Sequence, residues 1–256
     1  MSMLLRGGNF CIALCLTLLV GGGSSSVFAA DPAGGLPEIE YGYPEQRPRA
    51  FTNEKGEFDG HYQKLLTVLF NKAGMSWHSI PLPAARLMAT LSTGPTNFSI
   101  LVKNTLLDTC CIYSEKPVWH DELRVYYVGQ KPPIRKKEDL VGKHIIVLNG
   151  FSYGGWINYI KDPVNKITIE TAKSHASAFA MLDAGRADYL LDYDEPARAD
   201  GLVANPVKNL NSDVLDIVHM YFVISKSYPN AEGVLKRLES TYQTMRTEDV
   251  KRAYTK

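Results

Sequence analysis

The chain has 256 residues, of which 45% are hydrophobic, 21% charged and 10% aromatic, a composition that excludes a disordered polymer, a collagen-like repeat and a coiled-coil fibre. Lysine and arginine total 28 against 27 aspartate and glutamate, so there is no basic field to hold nucleic acid or an anionic membrane surface.

Arg6 precedes an unbroken apolar run, FCIALCLTLLV, at 10–20. Its length suits the core of an export signal and falls short of the roughly 20 residues that a membrane-spanning helix needs. Small residues follow in GGGSSSVFAA, with Val27 and Ala29 at the two positions that direct cleavage. Residues 1–29 are therefore expected to be a cleaved signal peptide, leaving an exported chain with no membrane insertion and no net formal charge. Two of the four cysteines leave with it. The remaining two, Cys110 and Cys111, are neighbours whose side chains point to opposite sides of an extended chain, which reads as a pair of small buried side chains and not as a disulfide with each other; a disulfide between two molecules is the alternative. The six histidines show no i, i+4 pair and no Cys-x-x-Cys companion, so no metal site and no cofactor is expected.

Residues 30–37 form a flexible lead rich in Ala, Pro and Gly, and apolar alternation begins at Ile39, Tyr41 and Tyr43. From Gly60, the positions Tyr62, Leu65, Leu66, Leu69, Phe70 and Ala73 recur at helical spacing up to Gly74. A strand is predicted at 77–82 and a helix from Pro83 with Leu87, Met88 and Leu91 on its apolar face, ended by Gly94 and Pro95; a buried strand follows at 97–102. The short connections of this β-α-β-α-β unit require parallel pairing. The same order returns as strand 144–148, helix 153–160, strand 166–170, a helix at 175–184 with Ser174 as N-cap, and strand 187–191. Two β-rich segments, 123–128 and 216–224, can carry the chain over and back, and an amphipathic helix follows Asn230. The expected division is 38–122 for the first part of lobe 1, 123–130 for the first crossing, 131–215 for lobe 2, and 216–256 for the return and the rest of lobe 1. A cleft between two hinged lobes is a common ligand site.

With these segments in order, the chain resembles the family-3 periplasmic solute-binding proteins, which include amino acid receptors of ABC transporters. The resemblance rests on Gly56 and Gly60 in NEKGEFDGHYQKLLTVLFNKAG, the Leu91 to Gly94 turn, Tyr113, Ser114 and Pro117 in IYSEKPV, DLVGKHIIVLNG at 139–150 and AMLDAGRAD at 180–188. It implies a type-II periplasmic binding fold: two α/β lobes, each a mixed sheet flanked by helices, joined by two hinge strands. It further implies a periplasmic monomer that clamps a small-molecule ligand without bond chemistry, with an inner-membrane ABC permease or a sensor as partner. The family's carboxylate-gripping arginine falls at Leu107 here, and its ammonium-binding aspartate at Tyr193, with Asp192 and Asp194 beside it.

Candidate ligand contacts follow from position. Arg86 lies off the apolar stripe in a helix's first turn, where the helix dipole opposes a cation by about 0.3–1 kcal/mol, so an anionic ligand group would explain its place. Ser152 and Tyr153 lie in NGFSYGGW, a strand-to-helix turn whose backbone amides can meet an acceptor. Lys103 ends a strand and offers a second positive charge. Tyr41, Tyr43 and Phe51 flank the first strand-to-helix connection and can form an aromatic wall. Asp192, at a strand end, can receive an ammonium or hydroxyl. The competing reading is an exported, dehydratase-like enzyme on the same fold, with Lys103, Glu115, His120 and Asp121 as acid-base groups; a ligand-presenting accessory protein is a third.

Overall fold

The structure is a computed structural model that describes residues 35–245. The expected signal peptide and most of the lead lie outside the described residues. The chain runs through β1 (Ile39–Tyr43), β2 (Phe51–Thr52), β3 (Phe58–Asp59), α1 (His61–Ala73), β4 (Trp77–Pro81), α2 (Ala84–Thr93), β5 (Phe98–Val102), β6 (Cys111–Tyr113) and β7 (Trp119–Val128). It continues through β8 (His144–Leu148), α3 (Trp156–Lys161), β9 (Thr168–Ala172), α4 (His175–Asp183), β10 (Tyr189–Tyr193) and β11 (Leu210–Ser225), and ends in a helix over Ala231–Thr244.

β1 lies between β4 and β5, parallel to both. β8 lies between β9 and β10, again parallel to both. These are the two units whose short connections required parallel pairing. Joining them are β7 and β11, antiparallel to each other from Trp119 to Val128, with β11 also antiparallel to β5 and β7 to β10. The result is a nine-stranded sheet, β4-β1-β5-β11-β7-β10-β8-β9, with β6 on β11. Both crossing strands are longer than their apolar stretches suggest. Polar residues such as Asn211, Ser212 and Asp213 satisfy their backbone groups against β7 although they carry no hydrophobic alternation. β9 and β10 also end two residues beyond the sequence-based bounds, which has a consequence at Asp192.

Each lobe has its own apolar interior. In the first, Tyr62, Leu65, Leu66, Leu69, Phe70 and Ala73 of α1 are buried against β1, β5, the end of β11 and the C-terminal helix. Burying each large side chain contributes about 1.5–3 kcal/mol. Gly74 closes α1 in the left-handed conformation (φ 61°), its amide returning to the carbonyls of Phe70 and Asn71. In the second lobe, Ile145 and Val147 of β8, Tyr189 and Leu191 of β10, and Leu123 and Val125 of β7 pack together with Trp156 and Ile160 of α3. Across the same sheet, Ile146 and Leu190 meet Ala178, Phe179 and Leu182 of α4. Ser174 caps α4, its side chain accepting from the amide of Ser177.

Candidate functional site

The lobes meet at the loops that follow β1 and β8. After β1 the chain turns through Pro44 to Ala50, and α1 anchors this turn: the amides of His61 and Tyr62 donate to the carbonyls of Pro48 and Arg49, at 3.1 and 2.8 Å. Gly60 makes that approach possible. It sits at φ 108°, and a Cβ there would lie 2.5 Å from the carbonyl oxygen of Arg49.

Arg49 is thereby driven inward and is completely buried. Its guanidinium pairs with Asp121 of β7, and its Nε donates to Oε2 of Glu195 at 2.6 Å. Glu195 follows β10 in the second lobe. The guanidinium also contacts Sδ of Met220 on β11 and lies 5.8 Å from the ring centre of Tyr193. His61 Nδ1 stands 3.4 Å from the other Glu195 oxygen, and the Tyr62 hydroxyl donates to Met220 Sδ at 2.9 Å. Burial works against the charged form of Glu195, but the His61 hydrogen bond and the Arg49 guanidinium outweigh it and hold the carboxyl below the usual glutamate range. One buried cation is thus held jointly by a crossing strand and by the second lobe.

Above this bridge lies a cavity of about 50 Å³, bounded by Gln46, Ala84 and Met88 on one side and by Phe151, Ser152 and Tyr193 on the other. It has room for water, not for an organic solute. The loop after β8 closes it: Gly150, at φ 81°, presses so near α2 that a Cβ would lie 2.6 Å from the backbone nitrogen of Ala85. A larger space of about 480 Å³ opens beside it, with Glu45 and residues 81–85 from the first lobe and Asn149, Phe151 and Lys173 from the second. That size suits a small solute. Pro83 offers no side-chain acceptor to the amides that open α2, so the positive end of this helix faces the space uncapped. Lys173 is exposed there. Glu45 accepts from the Thr52 amide and hydroxyl. A third space, about 140 Å³, runs under the β8 loop past Asn104, Asn149, Ser152 and Lys161.

Of the residues singled out from sequence, Ser152 borders two of these spaces. Tyr193, where the family's aspartate falls, borders the smallest of them, and the other candidate contacts lie elsewhere. Tyr41 and Tyr43 are stacked within the first lobe, each 1% exposed, since residues two apart on a strand share a face. Phe51 is half-buried beneath Arg47, 3.9 Å from its ring centre. Arg86 is exposed and borders none of the three spaces. Lys103 is exposed, with its ammonium 4.4 Å over the Tyr221 ring. Tyr153 is buried and turns back on β8, its hydroxyl accepting from the Leu148 amide at 2.7 Å. Asp192 lies inside β10 and is fully buried, paired with His175 at 2.8 Å and accepting the Tyr193 amide. Cys110 and Cys111 are free, with their sulfurs 3.1 Å apart.

Arg49, Glu195, Glu45 and Lys173 stand at these spaces and at the bridge below them although none belongs to a sequence motif. For Arg49 one signal existed: EQRPRAF places an arginine just before an aromatic strand, between a proline and a small residue, where a solvated side chain is the ordinary reading.

Among solved structures, an ancestral arginine-binding protein bound to arginine superposes with a TM-score of 0.67 at 19% identity, covering 85% of this chain and 96% of that one. A histidine kinase sensor domain with similarity to periplasmic binding proteins gives 0.71 at 16% identity, over 85% and 94%. Holo ArgBP from T. maritima gives 0.65 at 19% identity, over 83% and 92%. No family model and no curated protein matches the chain. With the sheet order and the interlobe spaces, these likenesses establish the two-lobed type-II periplasmic binding fold. Among the described residues, no helix is long and apolar enough to cross a membrane.

Proposed function

We propose that the protein is an exported, periplasmic solute-binding protein that captures a small amino-acid-like or carboxylate solute between its lobes. The observation that carries this reading is the space of about 480 Å³ at the interlobe mouth, where the uncapped start of α2 and Lys173 stand in the same enclosure as Glu45. An anionic group suits the helix end and the lysine; an ammonium suits the glutamate. The Arg49 bridge joins the lobes below, and a hinge motion about the crossings at 123–130 and 216–224 would open and shut the mouth. Binding without bond chemistry is favoured over the dehydratase-like reading because Asp121, one of the acid-base groups that reading needs, is already committed to Arg49. Delivery to an inner-membrane ABC permease is the role that fits a periplasmic receptor. Presentation of the solute to a sensor is the second reading, favoured by the likeness to a histidine kinase sensor domain.

The test is a thermal-shift panel of small carboxylates, amino acids, amines and neutral amides. A true ligand at 100 times its dissociation constant adds about 2.7 kcal/mol of stability. Stabilisation by carboxylates that is lost in Lys173→Gln supports the reading, and turnover of any panel member into product would replace it with the enzyme.

A further inference from the structure

Six histidines stand at 61, 78, 120, 144, 175 and 219, and all lie among the described residues. Four have a carboxylate beside the ring: His61 has Glu195, His78 has Glu38 and Glu40, His144 has Glu170, and His175 has Asp192. The two without one face each other, and His120 also stacks at 6.3 Å with the ring of Trp119. His120 on β7 stands directly opposite His219 on β11 in the antiparallel register. Both are exposed, and their ring centres lie 6.4 Å apart at an interplanar angle of 58°.

We propose that His120 and His219 form a chelating site for a divalent late transition-metal cation, with Cu²⁺ the tightest of the series. Directly opposed residues of an antiparallel pair hold their Cβ atoms about 4.5–5.5 Å apart, so the backbone has already fixed the span between the two imidazoles. Metal–imidazole bonds of about 2.0–2.1 Å to one ion require the facing nitrogens to approach more closely than ring centres at 6.4 Å. Side-chain rotation at two exposed residues supplies that movement without disturbing the sheet. Imidazole suits copper, nickel and zinc, and copper leads the affinity order for nitrogen ligands. Glu122, two residues along β7, is held by Arg124 at 2.8 and 2.6 Å and does not enlarge the ligand set. The remaining coordination positions belong to water. Because β7 and β11 are the two strands that cross between the lobes, a bound ion would tie the crossing together at this register.

Neither histidine borders the interlobe spaces, so the metal titration can be read without a solute. The untagged full chain is titrated with CuCl₂ and followed by electron paramagnetic resonance, with His120→Ala, His219→Ala and, as comparator, His78→Ala. The proposal predicts one ion per chain with nitrogen hyperfine structure, at least a tenfold weaker affinity in each of the first two variants, and no change in the third. Circular dichroism of the variants, whose side chains are exposed, separates loss of the site from loss of fold. No copper bound by the parent, an affinity in His120→Ala or His219→Ala equal to that of the parent, or a loss confined to His78→Ala would each overturn it.

Discussion

Arg49 and Glu195, which are 146 residues apart in sequence, meet in a 2.6 Å hydrogen bond that joins the turn after β1 to the segment after β10. The guanidinium is fully buried and also carries Asp121, so two carboxylates depend on one cation. Removing one partner of a buried pair leaves the other charge uncompensated, at a cost of about 3–5 kcal/mol. Arg49→Ala is therefore expected to lower unfolding stability by about 3 kcal/mol or more, measured by urea denaturation. Arg49→Lys recovers part of it, because a single ammonium cannot serve both acids with the geometry of a guanidinium fork. A loss below about 1 kcal/mol in Arg49→Ala would mean that the bridge contributes little.

Acid should weaken the same contact. The Glu195 carboxyl is held below the usual glutamate range, so its contribution is fully present above the ordinary value of about 4.3 and is lost as the pH falls through the lower folded value. Unfolding free energy measured from about pH 6 down to about pH 3 should fall less steeply in Glu195→Gln than in the parent chain. Parallel curves would show that Glu195 does not drive the acid response.

Gly150 sets how closely the lobes approach. It has a left-handed φ of 81°, and its missing Cβ would lie 2.6 Å from the backbone nitrogen of Ala85. Backbone in that conformation costs a non-glycine residue about 1–2 kcal/mol, and the clash falls on main chain that cannot swing aside. Gly150→Ala is expected to separate the lobes, which small-angle scattering would record as a larger radius of gyration, together with weaker solute binding. An unchanged scattering curve would mean that the lobes do not rely on this contact.

Cys111 should resist alkylation. Burial first, and then the hydrogen bond with Cys110, push its thiol up to about 12, so little thiolate forms at neutral pH. Mass spectrometry after brief iodoacetamide treatment at about pH 8 should find Cys111 unmodified. Rapid modification at that position would contradict its buried, protonated state.

The fold was legible because its signals are local. The α1 stripe from Tyr62 to Ala73, the Gly74 stop, the Ser174 cap and strand 144–148 all appear in the structure where periodicity and capping put them. The site was less legible because its groups act across long separations. A two-residue difference in the bounds of β10 moves Asp192 from a strand end into the strand, where His175 takes its carboxylate. Arg49 sits in a proline-containing turn that reads as solvated, and only the closure of β7 and β10 around it reveals that it is buried. Lys173 and Glu45 carry no motif at all. They acquire meaning from the parallel pairing of β8 with β9 and of β1 with β4, which brings the ends of those strands to one mouth.

A crystal structure of the chain with a solute that stabilises it in the panel decides whether the interlobe mouth is where the solute binds. Density for that solute is expected between the start of α2 and Phe151, with its anionic group toward Lys173 and its other end toward Glu45. Density for the solute outside the interlobe mouth, with that mouth unchanged, would contradict it.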